Sequence, residues 1–451
     1  MRFRTIYLFA FVLLTAGAGY SQATSADIPP LKFTDTKLEN GLRVLIAEDH
    51  SAPVFSIAVT YNVGARNERP GRTGFAHLFE HMMFEGSENV GKGEHFILIQ
   101  NNGGGLNGTT TEDRTNYFEE LPRNQLDLAL FLEADRMGHL AVTQEKLDNQ
   151  RNAVQEERRL GIDNQPYGKA ELEIDNLAYD NFSYKHSVIG EMSDLNAASL
   201  GDVQDFFRIY YAPNNAVLTL VGDLETPAAL AAVKKYFGSI PSQQLPKQPE
   251  LAEPEHYGER RETILDPLAR LPMVIIGHHI PKGDTAGNFT MQVLATVLGT
   301  GRSSRLYQHL VKEKQLATSI SADADARTGP SMFYINATPR PGVKPEELEK
   351  AIYEEITALQ AGGVTGEEME KARMQIKRSL IQSRESSLQT AIQLGTDTVF
   401  FNDPELINTY YEKAAAVTAD QVKAAAQKFL VPSERAVVIT LPAPAASASG
   451  K

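Results

Sequence analysis

The sequence predicts an α+β protein made of two homologous α/β-sandwich domains from an internal duplication. Three observations predict it. The chain is 451 residues long, too much for one ordinary core. GDVQDFFRIYYAPNNAVLTLVGDL (201–224) and ADQVKAAAQKFLVPSERAVVITLP (419–442) share one order: an amphipathic helix, a turn with Pro213 or Pro432, then a β-branched apolar strand. Upstream, FSIAVTYNVGARNERPGRTGFAHLFEH and MVIIGHHIPKGDTAGNFTMQVLATVLG both read as an alternating strand, a polar Gly/Pro loop and a helix. The copies lie about 219 residues apart.

The elements follow in chain order. Arg2 and Arg4 precede an apolar run from Ile6 to about Ala18, followed by small and polar residues. That pattern predicts a secretory signal over 1–23, cut after Ala23, and a periplasmic or secreted protein with no membrane segment once it is removed. An uncleaved anchor is the alternative. The first domain is expected over 29–240. IPSQQLPKQPELAEPEHYGERRE, rich in Pro, Gln and Glu, reads as a linker over 241–262. The second domain spans 263–442, and the low-complexity tail 443–451 is expected to be disordered. The chain has no cysteine, which excludes disulfides, thiolate metal sites and a cysteine nucleophile. A formal charge of −13 leaves no excess of Lys and Arg for a nucleic-acid backbone.

TGFAHLFEHMMFEGS (73–87) holds the chemistry. As a helix over 73–86 it sets His77 and His81 one turn apart on one face, with Glu80 beside them. Phe75, Leu78, Phe79, Met82, Met83 and Phe84 make the helix apolar on nearly every side, which predicts burial. A lone buried histidine needs only a hydrogen bond, but three buried ionisable groups call for a cation. The second copy has Phe, Met and Val where the first has His, Glu and His.

A catalytic zinc generally takes three protein ligands. QEKLDNQRNAVQEERRL (144–160) reads as a helix capped by Thr143, with Leu147, Gln150, Val154 and Glu157 in one arc. Glu157 faces inward and Glu156 points away, though spacing alone leaves both acids in play. Two histidines and a carboxylate suit zinc and would tolerate manganese or cobalt.

At these residues the sequence resembles the pitrilysin/insulinase family of zinc peptidases, with its inverted H-x-x-E-H motif. ENGLRVLIAEDH, GGGLNGTTTEDRTNYF, NQRNAVQEERR, YYAPNNAVLTLVGDL and GRSSRLYQHLVKEK carry the resemblance across the chain. It implies one zinc per chain held by His77, His81 and Glu157, the last lying 76 residues after His81 and three after Val154, with Glu80 as general base. It also implies that the two domains form half of a peptide-enclosing clamp. Substrate would add as a strand along Asn107, Gly108, Thr109 and Thr110, a stretch that reads equally as an ordinary Gly-rich loop.

Two departures stand out. Many relatives carry a glutamate where this chain has Gln150. Active members carry an Arg and a Tyr where this chain has Lys312 and Thr318; Arg305 and Tyr307 belong to the preceding motif. The resemblance therefore implies a zinc endopeptidase that is the catalytic subunit of a heterodimer, whose homologous partner supplies the Arg/Tyr pair. A non-catalytic peptide-binding or assembly subunit of the same fold is the alternative.

Overall fold

The β-branched, alternating strands of each half assemble into a sheet, and the two sheets have the same wiring. The structure, a computed structural model, describes residues 28–443; the expected signal segment and the tail from residue 444 lie outside the described residues. The first sheet contains β1 (Thr34–Lys37), β2 (Arg43–Glu48), β3 (Val54–Tyr61), β4 (Gly105–Thr110), β5 (Thr115–Pro122) and β6 (Ala216–Gly222), in the order β1-β2-β6-β3-β5-β4. The second contains β7 (Arg260–Asp266), β8 (Met273–Ile280), β9 (Ala317–Ala324), β10 (Ser331–Pro339) and β11 (Ala436–Pro442), in the order β7-β11-β8-β10-β9. Setting β1 aside, strand matches strand. In each sheet one neighbouring pair is parallel, β2 with β6 and β7 with β11, and the other pairs are antiparallel. Shared topology of this kind is what a duplication leaves behind.

On one face of the first sheet lie α1 (Phe75–Met82), α2 (Glu94–Asn101), α3 (Leu126–His139) and α4 (Gln144–Arg158), with Leu78, Phe79, Leu130, Leu147 and Val154 in one buried core. The helix Ala286–Gly299 fills the matching place in the second half, through Met291, Leu294 and Leu298. The helix expected over 73–86 is shorter, Phe75–Met82: Gly74 (φ +82°) takes left-handed backbone just before its start, and the chain turns again at Gly86 (φ +95°) beyond its end. Residues 241–259 contain no regular element, whereas Arg260–Glu262, read as the end of the linker, begin β7 beside β11. The irregular stretch is tied down: Glu253 accepts the backbone N–H groups of Asp180 (3.0 Å) and Asn181 (2.7 Å).

The opposite faces of the sheets show an exchange that the sequence did not predict. The helix Ser387–Phe401, from the second half, covers the first sheet: Leu394 packs with Leu45 and Val217, and Ala391 with Ala47, Ala58 and Val221. It sits close enough that a Cβ on Gly395 would come 2.7 Å from Thr60 Oγ1, and Thr219 donates its hydroxyl to the Ala391 carbonyl at 2.9 Å. Reciprocally, α5 (Gly168–Ala178), from the first half, covers the second sheet, with Ala170, Ile174 and Ala178 against Ile275, Met332 and Val438. A polar lock joins the halves as well: buried Asp113 accepts from Arg66 (2.5 Å), Tyr184 (2.9 Å) and the Thr328 backbone (2.9 Å). Among the described residues no helix is long and apolar enough to cross a membrane.

The exchange makes Leu394 a residue of the first core. Leu394→Ala should lower unfolding free energy by about 2–5 kcal/mol, read by urea denaturation, and should destabilise the first sheet although the residue lies in the second half.

Candidate metal centre

The helix that carries His77, Glu80 and His81 is held from outside itself. Its first turn has free N–H groups, and the Glu68 carboxylate takes two of them, from Gly74 (2.8 Å) and Ala76 (2.7 Å). His186 Nε2 lies 2.9 Å from the same carboxylate. Burial pushes the Glu68 carboxyl up, against the pull of His186. Phe79 anchors the helix in the core, its ring 4.3 Å from that of Tyr211.

His77 and Glu80 are each 9% exposed, and the rings of His77 and His81 meet edge to face at 4.8 Å. α4 lies alongside. Thr143 caps it by accepting the Lys146 N–H, and Leu147 and Val154 turn its inner face to the core. From that face Glu157 Oε2 reaches within 3.2 Å of His81 Nε2 and 3.6 Å of His77 Nε2. Glu156 turns outward to Arg159, at 3.1 Å.

The residues fit zinc. Tetrahedral zinc with bonds of about 2.0–2.2 Å sets its ligand atoms roughly 3.3–3.6 Å apart, and the ligand atoms of His77, His81 and Glu157 all lie within 4.8 Å of one another. Without a cation, charge distributes unevenly. Burial, then the neighbouring His81, lowers His77 to about 4. His81 is buried too, but Glu157 raises it overall, while the His81 hydrogen bond lowers the Glu157 carboxyl.

β4 passes over Glu80. Thr110 donates its hydroxyl to Glu80 Oε2 at 2.5 Å, and a Cβ on Gly108 would lie 3.0 Å from Glu80 Cγ and 3.2 Å from Oε1. Burial raises the Glu80 carboxyl, with the Thr110 hydrogen bond opposing. Of the four strand residues singled out, Gly108 and Thr110 meet Glu80, Thr109 bonds Asn116 (2.7 Å) on the other face, and Asn107 is exposed. β4 ends the sheet, so its outer edge pairs with no described strand.

Comparison with known proteins matches this arrangement to a family. Residues 43–190 match the model of the insulinase family (peptidase family M16), and residues 197–376 match that of the peptidase M16 inactive domain. The chain is 30% identical to the zinc protease PqqE of Helicobacter pylori over 442 residues, covering 97% of this chain and 98% of that protein. This chain belongs to the insulinase family. An uncharacterized zinc protease of Bacillus subtilis, YmxG, is 24% identical, with 86% of this chain and 94% of that one covered. The crystal structure of a protease from Helicobacter pylori superposes with a TM-score of 0.88 at 29% identity, over 92% of this chain and 100% of that one.

The second half of this insulinase-family chain lacks the cluster, and its Lys312 and Thr318 are both exposed, the latter donating to the Thr338 carbonyl at 3.1 Å. Arg305 is engaged by Glu368 through two bonds of 2.8 and 2.7 Å, and Tyr307 packs on the second core.

Behind α1 lies a second convergence, of His95, Glu119 and Glu133, all buried. A guanidinium already fills it. Arg136 bonds Glu133 (3.0 Å), lies 4.0 Å from Glu119 and stacks on Tyr117 at 4.5 Å. Burial pushes Glu119 up to about 7, against Arg136, and holds His95 down at about 3. Burial pushes Glu133 up to about 7 as well, again against Arg136, and Glu119 faces His95 Nε2 at 2.5 Å. An acid whose folded pKa lies above its unfolded value of 4.5 contributes stability below 4.5 and loses it as pH rises through about 7. Glu119→Gln mimics the protonated acid, and should flatten the decline in urea-unfolding free energy between pH 5 and 8.

Proposed function

We propose that this chain is a zinc-dependent endopeptidase, and the catalytic subunit of a heterodimer. The observation that carries the reading is the meeting of His77, His81 and Glu157 beside Glu80, beneath an unpaired strand edge. Zinc bound there would polarise the scissile carbonyl and lower the pKa of water toward 7.

The chain's own residues supply the rest. Glu80, raised by burial toward the working range of a general base, takes the proton of the attacking water and passes it to the leaving amine. Thr110 holds one of its oxygens, which orients the carboxylate. The edge of β4, along Asn107–Thr110, offers backbone N–H and C=O groups to an extended peptide, so the substrate is bound by its main chain and is cut as a strand. Gly108 keeps that strand close to Glu80.

The heterodimer follows from what the second half lacks. Lys312 and Thr318 stand where an Arg and a Tyr would hold substrate, and Arg305 is committed to Glu368. A homologous partner bringing that pair would complete the clamp. The N-terminal sequence supports export to the periplasm or beyond.

Glu80→Gln should lower kcat/KM for peptide cleavage by roughly 10²–10⁴-fold while the protein still takes up one zinc, and a chelator should abolish cleavage by the wild type. Cleavage at the wild-type rate by zinc-loaded Glu80→Gln protein would end the reading. A purified chain that works as fast alone as with a homologous partner would remove the heterodimer.

A further inference from the structure

The end of α4 holds Glu157 where the core no longer reaches it. Val154 and Gln155 are the last buried residues of the helix, and residues 156, 157, 159 and 160 are exposed. Glu157 Oε2 nevertheless stays 3.2 Å from His81 Nε2 and 3.6 Å from His77 Nε2. A zinc site accepts its ligand atoms only within a few tenths of an ångström of their places. A mooring outside the core therefore has to join the end of α4 to the start of α1.

The turn at 187–191 is wedged between the two. Gly190 (φ +75°) donates its N–H to the Ser187 carbonyl at 3.1 Å, and a Cβ on it would come 2.4 Å from Gly74 Cα. Toward α1, buried Thr73 accepts the Glu191 N–H at 2.9 Å, while its hydroxyl and its own N–H donate to Asp194 at 2.7 and 3.0 Å. Toward α4, Arg158 donates to the Gly190 carbonyl and, at 3.2 Å, to the Glu191 carboxylate. The wedge is itself held on both sides. His186, just before it, meets Glu68, the carboxylate that takes the first N–H groups of α1. Just after it, Leu195 is buried in the first core, and Arg151 of α4 donates to the Leu195 and Ala198 carbonyls at 3.0 and 2.6 Å.

We propose that Arg158 and Thr73 are positioning residues for Glu157: gripping the turn at 187–191 from opposite sides, they set the distance between the carboxylate and the two imidazoles. Arg158 follows Glu157 directly in the chain, so a slip or rotation of the last turn of α4 would move both, and the bond to Gly190 resists either motion. The inference rests on the reading of His77, His81 and Glu157 as zinc ligands. Losing an outer contact of a metal site commonly weakens metal binding by roughly 10–100-fold.

The test is the zinc dissociation constant of apoprotein, measured by competition with a chromophoric chelator in the wild type and in a Glu157→Ala background, with the apoprotein Tm followed alongside. Arg158→Met keeps the side-chain stem and removes both bonds. It and Thr73→Val should each weaken binding by about tenfold, whereas Thr73→Ser, which keeps the hydroxyl, should bind as the wild type does. In the Glu157→Ala background Arg158→Met should cost nothing further, because the mooring then has no ligand to place. A merely structural residue would weaken binding in both backgrounds, and that result, or unchanged affinity in Arg158→Met alone, overturns the proposal. Should Arg158→Met fail to fold, the Thr73 pair decides: equal affinities in Thr73→Val and Thr73→Ser overturn it. A wild-type protein that takes up no zinc would instead overturn the zinc reading itself.

Discussion

An apolar helix bearing three ionisable groups can stand in a core only if each group finds a partner, since a buried unpaired charge costs several kcal/mol or more. The first half of this protein is organised around that demand. Glu157 comes across from α4 to face both imidazoles, Thr110 comes down from β4 to Glu80, and Glu68 reaches over a loop to the bare N–H groups at the start of the helix. The partners come from a helix, a strand and a loop, so the fold and the site are one problem with one solution.

The same demand distinguishes two clusters that a ligand count alone would treat alike. Around His95 the carboxylates of Glu119 and Glu133 meet a guanidinium from within the chain, which bonds Glu133 and lies 4.0 Å from Glu119. Around His77 and His81 no Lys or Arg of the described residues is paired with the ligand atoms, and Glu157 faces two imidazoles. One cluster is closed by Arg136, and in the other the ligand atoms of His77, His81 and Glu157 face one another directly. Such a difference can be read only with side chains in place, because the residue types are nearly the same.

What the sequence revealed was what depends on local spacing. His77 and His81 share a face because an i, i+4 pair must, and Glu157 separates from Glu156 because their helical positions differ by 100°. The two sheets were visible as repeated strand, loop and helix patterns. Contacts across loops were not visible. Nothing near Glu68 or Glu85 marks them as partners of a helix end or of Gln150, and the helices Gly168–Ala178 and Ser387–Phe401 have the same amphipathic look as helices that stay with their own sheet. The spacing marks Asn107–Thr110 only as a block, although the two-residue period of a strand lets only Gly108 and Thr110 meet Glu80.

The reciprocal loan of helices has a consequence for how the chain can be taken apart. Each half carries a piece that belongs to the other's sandwich, so neither is a self-sufficient module despite the irregular stretch between them. A single nick within 241–259 would leave two polypeptides still interlocked through their cores. Made separately, each would display a greasy sheet surface with its cover missing, and would be soluble only once the complementary fragment arrived.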